Sequence, residues 1–118
     1  MANRENAIVD KSVSFALMII EFCELLESQR KFVVANQLLK SGTSIGANIH
    51  EAQNAESRAD FIHKIKIALK ELEETKYWLT LCERSNLYPF ENGLKDGVEE
   101  LELILYKIIS TSKRNMGK

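Results

Sequence analysis

Two histidines and two cysteines are the side chains in this sequence that could support metal or nucleophilic chemistry. Asp60 and His63 have the i,i+3 spacing of a helical ligand pair, but a di-iron bundle needs two Glu-x-x-His pairs and further carboxylates. His50 precedes Glu51 and has no second histidine four residues later, which excludes the zinc-protease pattern. Asp60 is better explained as a helix cap. A metal- or ligand-binding bundle is therefore kept only as a minor alternative.

Motifs for nucleophilic and phosphate-transfer chemistry are missing. Neither Cys23 nor Cys82 has a histidine close by in the sequence, and there is no Gly-x-Ser-x-Gly elbow. Segment 42–46 is rich in small residues but lacks the lysine and the spacing of a P-loop. Both cysteines fall in apolar helical segments, where reduced, buried thiols are expected. We expect a protein that is not an enzyme, with no catalytic residues, no metal site and no cofactor.

A stripe of short polar side chains on the second helical segment is the most unusual feature of the sequence. Its members are Ser41, Ser44, Asn48 and Glu51, whose spacing of three or four residues places them on neighbouring positions of one helix face. They contain no acid–base pair. Two interpretations stay open: a ligand or partner site, and a hydrogen-bond network that fixes helix register. The network is favoured, so we predict an interhelix or intersubunit polar seam.

Basic residues concentrate on the third helical segment, at Arg58, Lys64, Lys66, Lys70 and Lys76. Together with the basic C-terminal tail, they could line a surface that binds nucleic-acid phosphates without sequence readout. Three glutamates alternate with them, so a solvated face of mixed charge is the competing interpretation. Neighbouring tyrosine and tryptophan side chains could stack on bases, but a place at a bundle end or an interface explains them more simply.

Four helical segments position these residues. Apolar residues recur at three- and four-residue steps over Val9 to Ser28, Phe32 to Ala55, Ser57 to Glu83 and Pro89 to Thr111. Glycines at 42 and 46 leave open whether the second segment is one bent helix or two helices broken near Gly42. Long helices with short joints imply antiparallel neighbours. The sequence predicts an all-α, up-down-up-down antiparallel four-helix bundle, with residues 1–118 as a single domain.

The first segment is more apolar than a lone bundle requires. It carries two neighbouring apolar stripes, one with Val9, Val13, Ala16, Ile20 and Cys23, the other with Phe15, Met18, Ile19, Phe22, Leu25 and Leu26. A bundle helix needs an apolar arc only about 100° wide. The surplus predicts that another subunit covers part of this helix and buries its Leu, Ile and Phe side chains. On the third segment, Lys76 falls within the expected buried seam.

Composition narrows the class of protein. The chain has 118 residues, of which 45% are hydrophobic and 28% charged, as in a single globular domain. One proline and five glycines are too few for the turns of an all-β fold. The formal net charge of −1 predicts no strong overall attraction to nucleic acid. With neither a signal-peptide pattern nor a membrane-length apolar run, we expect a cytoplasmic protein without a membrane partner.

The segment from Gln37 to Ala52 resembles the signature of the 23S rRNA intervening-sequence protein family, also called the four helix bundle protein family. The core of the likeness is Ser-x-x-Ser-Ile-x-x-Asn-Ile-x-Glu, which begins at Ser41. The segment from Asp60 to Leu72 resembles the next block of the family. The likeness spans roughly Phe15 to Ile109.

This resemblance implies a ring-like homopentamer of up-down bundles, in which Ser44, Asn48 and Glu51 have an interhelix or intersubunit role. A related branch, the accessory variability proteins of diversity-generating retroelements, is similar in fold, has a basic surface, and binds nucleic acid and a reverse transcriptase. This chain differs from that branch in its slightly acidic pI of 6.1. We expect a pentameric interaction or scaffold protein that acts as an accessory factor in a nucleic-acid process, with nucleic acid or a nucleic-acid-processing protein as partner. Direct, non-sequence-specific nucleic-acid binding through the basic helix face is the alternative.

Overall fold

The computed structural model describes residues 4–116 of the chain and the side chains of residues 7–115. Within this range lie four helices, α1 (Arg4–Ser28), α2 (Phe32–Ala52), α3 (Arg58–Arg84) and α4 (Asn92–Met116). Each helix packs on the next, and α4 packs back on α1. This arrangement, 52 Å long and 25 by 22 Å across, confirms the predicted all-α up-down bundle. The basic tail beyond Asn115 lies outside the described side chains.

The second segment is one uninterrupted helix, which decides between the two alternatives that the glycines left open. A Cβ atom added at Gly42 would lie 2.8 Å from Cγ2 of Ile19, and one added at Gly46 would lie 3.3 Å from Oγ of Ser12. The two glycines therefore allow α1 and α2 to pack closely, because no side chain separates the helices there. The helix ends at Ala52, three residues earlier than predicted, and a turn at Gln53–Asn54 follows.

The rotation of α1 turns mainly one of its two apolar stripes into the bundle core, together with Cys23 of the other stripe. The buried residues of α1 are Ile8, Ser12, Phe15, Ile19, Phe22, Cys23 and Leu26. Val13 and Ile20, which belong to the other stripe, are exposed, and Leu17 lies between them. Ile19 packs at Gly42, and Phe15 packs at Gly97 of α4, where an added Cβ would lie 2.7 Å from its Cδ1. The glycines of the neighbouring helices thus determine which stripe faces inward.

Hydrogen bonds at the helix ends fix the turns. The Oγ of Ser57 accepts from the amide of Asp60 at 3.0 Å, and Oδ2 of Asp60 accepts from the amide of Glu56 at 3.1 Å. These two reciprocal bonds cap the N-terminus of α3. At the α1–α2 turn, Arg30 has a φ of 63° and the Lys31 amide donates to the Leu26 carbonyl at 2.8 Å. Many helices end in this way, with one residue in the left-handed conformation, and that residue is usually a glycine. No helix within residues 4–116 is long and apolar enough to cross a membrane.

Candidate functional site

The first member of the predicted polar seam joins two helices. Ser41 is fully buried, and the Thr75 hydroxyl of α3 donates to its Oγ at 2.9 Å. Ser41 in turn donates to the Leu38 carbonyl at 3.4 Å. This pair gives α2 and α3 a directional contact inside an otherwise apolar core. Sequence reasoning missed Thr75, although a threonine between Leu72 and Leu79 in an apolar seam is itself a signal.

The other three members lie nearer the surface. Ser44 donates to the Lys40 carbonyl at 2.7 Å, and the Asn48 amide donates to the Ser44 carbonyl at 2.9 Å, so both half-buried side chains bond to their own helix. Glu51 is exposed and accepts from Nζ of Lys64 on α3 at 3.3 Å. Ser41 and Glu51 therefore bridge α2 and α3, whereas Ser44 and Asn48 do not. An intersubunit role for Ser44 and Asn48 stays a prediction.

The five basic residues that were predicted to line a binding surface on α3 divide into two groups. Lys64 pairs with Glu51, and Lys76 pairs with Glu102 of α4 at 3.4 Å. The placement of Lys76 in the buried seam was wrong: the side chain is exposed, because Thr75 and Leu79 take the core positions and Lys76 lies at the edge between α3 and α4. Among the described residues, no carboxylate pairs with the remaining three cations, Arg58, Lys66 and Lys70.

Lys66 has a partner of like charge. A hydrogen bond that the Lys113 side chain of α4 can donate only to a neutral Lys66, together with the positive charge of Lys113, holds the pKa of Lys66 below its usual value. The helix register explains the encounter, since the Lys76–Glu102 and Lys95–Glu83 pairs fix α3 against α4. Ten residues from Lys76 toward the start of α3, Lys66 comes level with Lys113. Sequence reasoning noted a basic tail but could not derive this pairing without the register.

Two carboxyl groups meet farther along the same edge. A hydrogen bond to Glu102 raises the pKa of Glu73, and the same bond, together with the charge of Lys76, lowers the pKa of Glu102. Glu73 is therefore the member of the pair that holds a proton more readily. The edge between α3 and α4 is acidic in this part and basic around Lys66.

The outer surface of the α1–α2 pair carries the surplus apolar side chains. Val13, Leu17 and Ile20 follow one another at helical spacing on α1 and are 44%, 55% and 37% exposed. Leu39 on α2 is 39% exposed. We call these four residues and the surface between them the uncharged face.

Charged residues are absent from the two stretches that form most of this face; Leu39 lies just before the second stretch, on the other side of Lys40. Ser12–Ile20 on α1 and Ser41–Ile49 on α2 are each nine residues long and contain no Asp, Glu, Lys or Arg. Because Gly42 contacts Ile19 and Gly46 contacts Ser12, the antiparallel stretches lie side by side. The result is a surface patch two helices wide and about 12 Å long, at 1.5 Å of rise per residue.

The two thiols are poorly suited to nucleophilic chemistry. Cys23 and Cys82 are buried and free. Burial, with smaller contributions from the charges of Glu27 and Cys82, raises the pKa of Cys23 to about 12, and burial raises the pKa of Cys82. Within the part of the chain that the structure describes, no group of three or more His, Cys, Asp or Glu side chains is placed to hold a metal ion.

The fold and these surfaces define an antiparallel four-helix bundle with an uncharged face on one helix pair and a charge-divided edge on the other. Residues 4–109 match the family described as 23S rRNA-intervening sequence protein, and the chain belongs to that family, which confirms the resemblance seen in the sequence. A crystal structure from Bacteroides thetaiotaomicron, described as a protein with unknown function from the S23 ribosomal protein family, is 44% identical, with a TM-score of 0.86. The alignment covers 92% of this chain and 99% of that one. No curated protein matches the chain.

Proposed function

We propose that this protein is a non-enzymatic, homo-oligomeric scaffold in which the uncharged face packs against another copy of the chain. The observation that carries the proposal is the pairing of two nine-residue stretches without charge in a chain that is 28% charged. Depletion of charged residues distinguishes the core of an interface from the remaining surface. Exposed aliphatic side chains at helical spacing on α1 supply the apolar area.

The energy available sets a lower limit on the size of the interface. Burying the exposed parts of Val13, Leu17, Ile20 and Leu39 contributes roughly 1 kcal/mol each, because a large aliphatic side chain gains about 1.5–3 kcal/mol on full burial. The total of about 4 kcal/mol only matches the lower estimates of the entropic cost of association. A stable contact must therefore extend over the neighbouring small side chains of α2, among them Thr43 and Ala47.

A closed ring also needs a second surface, because every subunit in a ring of more than two copies presents two different patches. The opposite side of the bundle, formed by α3 and α4, exposes four large side chains, Tyr77, Leu81, Leu103 and Tyr106. Contact between the uncharged face and this side would give a ring, whereas contact of the uncharged face with itself would give a dimer. The family resemblance supports the ring, with five copies.

We further propose that this assembly serves as an accessory factor in a nucleic-acid process, in contact with nucleic acid or with a protein that acts on it. The family description refers to an intervening sequence of 23S rRNA. The unpaired basic side chains of α3 give the same proposal a physical basis on this chain.

Light scattering coupled to size exclusion tests the scaffold proposal on the full chain. We expect a mass of about 68 kDa, five times the chain mass of 13.5 kDa, and a raised absorbance at 260 nm if nucleic acid copurifies. Leu17→Glu should reduce the mass to that of one chain, because it places a charge in the apolar contact. Leu87→Glu is the matched control, since Leu87 lies in the α3–α4 loop and is 76% exposed.

Each outcome has a distinct meaning. Dissociation by Leu103→Glu as well as by Leu17→Glu would indicate a ring with two different contact surfaces. Dissociation by Leu17→Glu alone would indicate an interface in which the uncharged face pairs with itself. A wild-type mass of 13.5 kDa at every concentration, or an unchanged mass for Leu17→Glu, would contradict the scaffold.

A further inference from the structure

The edge between α3 and α4 separates its charges along its length. Residues 58–70 of α3 contain four basic residues and one acidic residue, and residues 106–115 of α4 contain three basic residues and none that is acidic. The remaining halves, 71–84 and 92–105, contain four acidic residues each, against two basic residues and one. Because α3 and α4 are antiparallel, the two basic halves lie at the same end of the bundle. The net charge of −1 conceals this division.

The lysines of the two halves differ in the charge of the group that lies next to them. In the acidic half, Lys76 and Lys95 each pair with a carboxylate, Glu102 and Glu83 respectively. In the basic half, the register that these two pairs fix brings Lys66 level with another lysine, Lys113. Two adjacent ammonium groups repel each other, and an anion placed between them relieves that repulsion.

Three cations of the basic half, Lys66, Lys70 and Lys113, lie close together along the edge. Lys70 is one helical turn from Lys66, at a rise of about 6 Å, and Arg114 follows Lys113 in the chain. Among the residues that the structure describes, none of these four side chains pairs with a carboxylate. All four are exposed. We call Lys66, Lys70, Lys113 and Arg114 the basic end.

We propose that the basic end binds the phosphodiester backbone of a nucleic acid, with one phosphate between Lys66 and Lys113 and a neighbouring phosphate near Lys70. A row of cations fits a chain of regularly spaced phosphates better than it fits one isolated anion. Because three of the four cations are lysines, which act as flexible point charges, the contact reads charge and not base sequence. The inference deepens the proposed function, on which it rests for its partner, by placing the nucleic acid on this chain's own residues.

Fluorescence anisotropy with three labelled probes tests the site: a 20-nucleotide single-stranded RNA, the DNA strand of the same sequence, and its DNA duplex. Four phosphate contacts to a single strand predict a slope of about −3 for log K against log salt concentration. The affinity should then fall roughly fifty-fold between 50 and 200 mM salt. The probe that binds most tightly identifies the form of nucleic acid. Failure of all three probes to bind at 50 mM salt would overturn the proposal.

Matched double variants separate a local site from the overall charge of the protein. Lys66→Gln with Lys113→Gln should make the single-strand slope shallower by about 1.4, because two phosphate contacts are lost. Lys76→Gln with Lys95→Gln removes the same charge from the acidic half of the same edge and should leave the slope unchanged. An equal change of slope in both pairs would overturn the basic end as the site.

One more variant, Leu17→Glu, tests this proposal separately from the scaffold proposal. Leu17→Glu, measured with the same probes, should retain the salt slope of a single chain even where the assembly is lost, because the basic end lies on the other helix pair. Loss of the slope in Leu17→Glu with a native circular dichroism spectrum would refute binding by the individual chain. The double variant Lys66→Gln with Lys113→Gln removes the repulsion between the two lysines, so its melting temperature should not fall. A loss of binding in this variant is then not caused by unfolding.

Discussion

A methyl group added at Gly42 tests how closely α1 and α2 approach. The new Cβ would lie 2.8 Å from Cγ2 and 3.0 Å from Cγ1 of Ile19, which is fully buried and, as a β-branched residue, has little rotamer freedom. Alanine gains about 1 kcal/mol over glycine in a helix interior, whereas overpacking a filled core costs about 1–3 kcal/mol. We therefore expect Gly42→Ala to lower the free energy of unfolding by about 1 kcal/mol.

Urea denaturation followed by circular dichroism, at one protein concentration, measures this change, and two variants sharpen it. Gly46→Ala is the matched control: its Cβ would lie 3.3 Å from the Ser12 hydroxyl, so we expect a change within about 0.5 kcal/mol or a small gain. In a double-mutant cycle with Ile19→Ala, the added methyl occupies vacated space, and the coupling should be favourable by about 1 kcal/mol or more. A Gly42→Ala protein more stable than wild type, or a coupling near zero, would refute the close approach.

Three further predictions concern single side chains. Thr75→Val removes the hydroxyl that donates to Ser41 and should destabilise the protein by about 1–2 kcal/mol in the same urea assay; a neutral result would place Ser41 in contact with water. Arg30→Gly should stabilise it by about 1 kcal/mol, because Arg30 has a φ of 63°, and a loss of stability would argue against that turn. Cys23 and Cys82 should resist iodoacetamide at pH 8 and react once urea unfolds the chain, because the thiolate is the reactive form and burial raises the pKa of both thiols. Labelling at pH 8 in the folded state would contradict their burial.

The fold was predictable because each helix carries strong local signals. Apolar residues at helical spacing indicated four segments, and Ser57 with Asp60 marked the start of α3. The rotation of α1 could not be predicted. Both of its stripes are apolar, and the choice between them depends on Gly42 and Gly97, which lie on other helices.

The candidate sites were predictable only where one helix determines them. The polar stripe on α2 could be read from spacing, but its separation into a buried Ser41 and an exposed Glu51 depends on how α2 packs against α3. An exposed pair such as Glu51–Lys64 contributes less than about 1 kcal/mol to stability. The meeting of Lys66 with Lys113 requires the register between α3 and α4, which no single-helix pattern contains.

The order in which the helices pair bears on how the chain folds. Three of the four helix–helix contacts join consecutive helices, and α1 with α4, the one pair far apart in sequence, is packed least. A topology dominated by short-range contacts has a low contact order, and helical bundles of this kind fold in microseconds to milliseconds. The α2–α3 hairpin is the most closely packed pair and contains the Ser41–Thr75 bond, so we expect it to form early in folding. We expect docking of α4 on α1 to complete the bundle, which would bury the core stripe of α1 while Val13, Leu17 and Ile20 stay exposed.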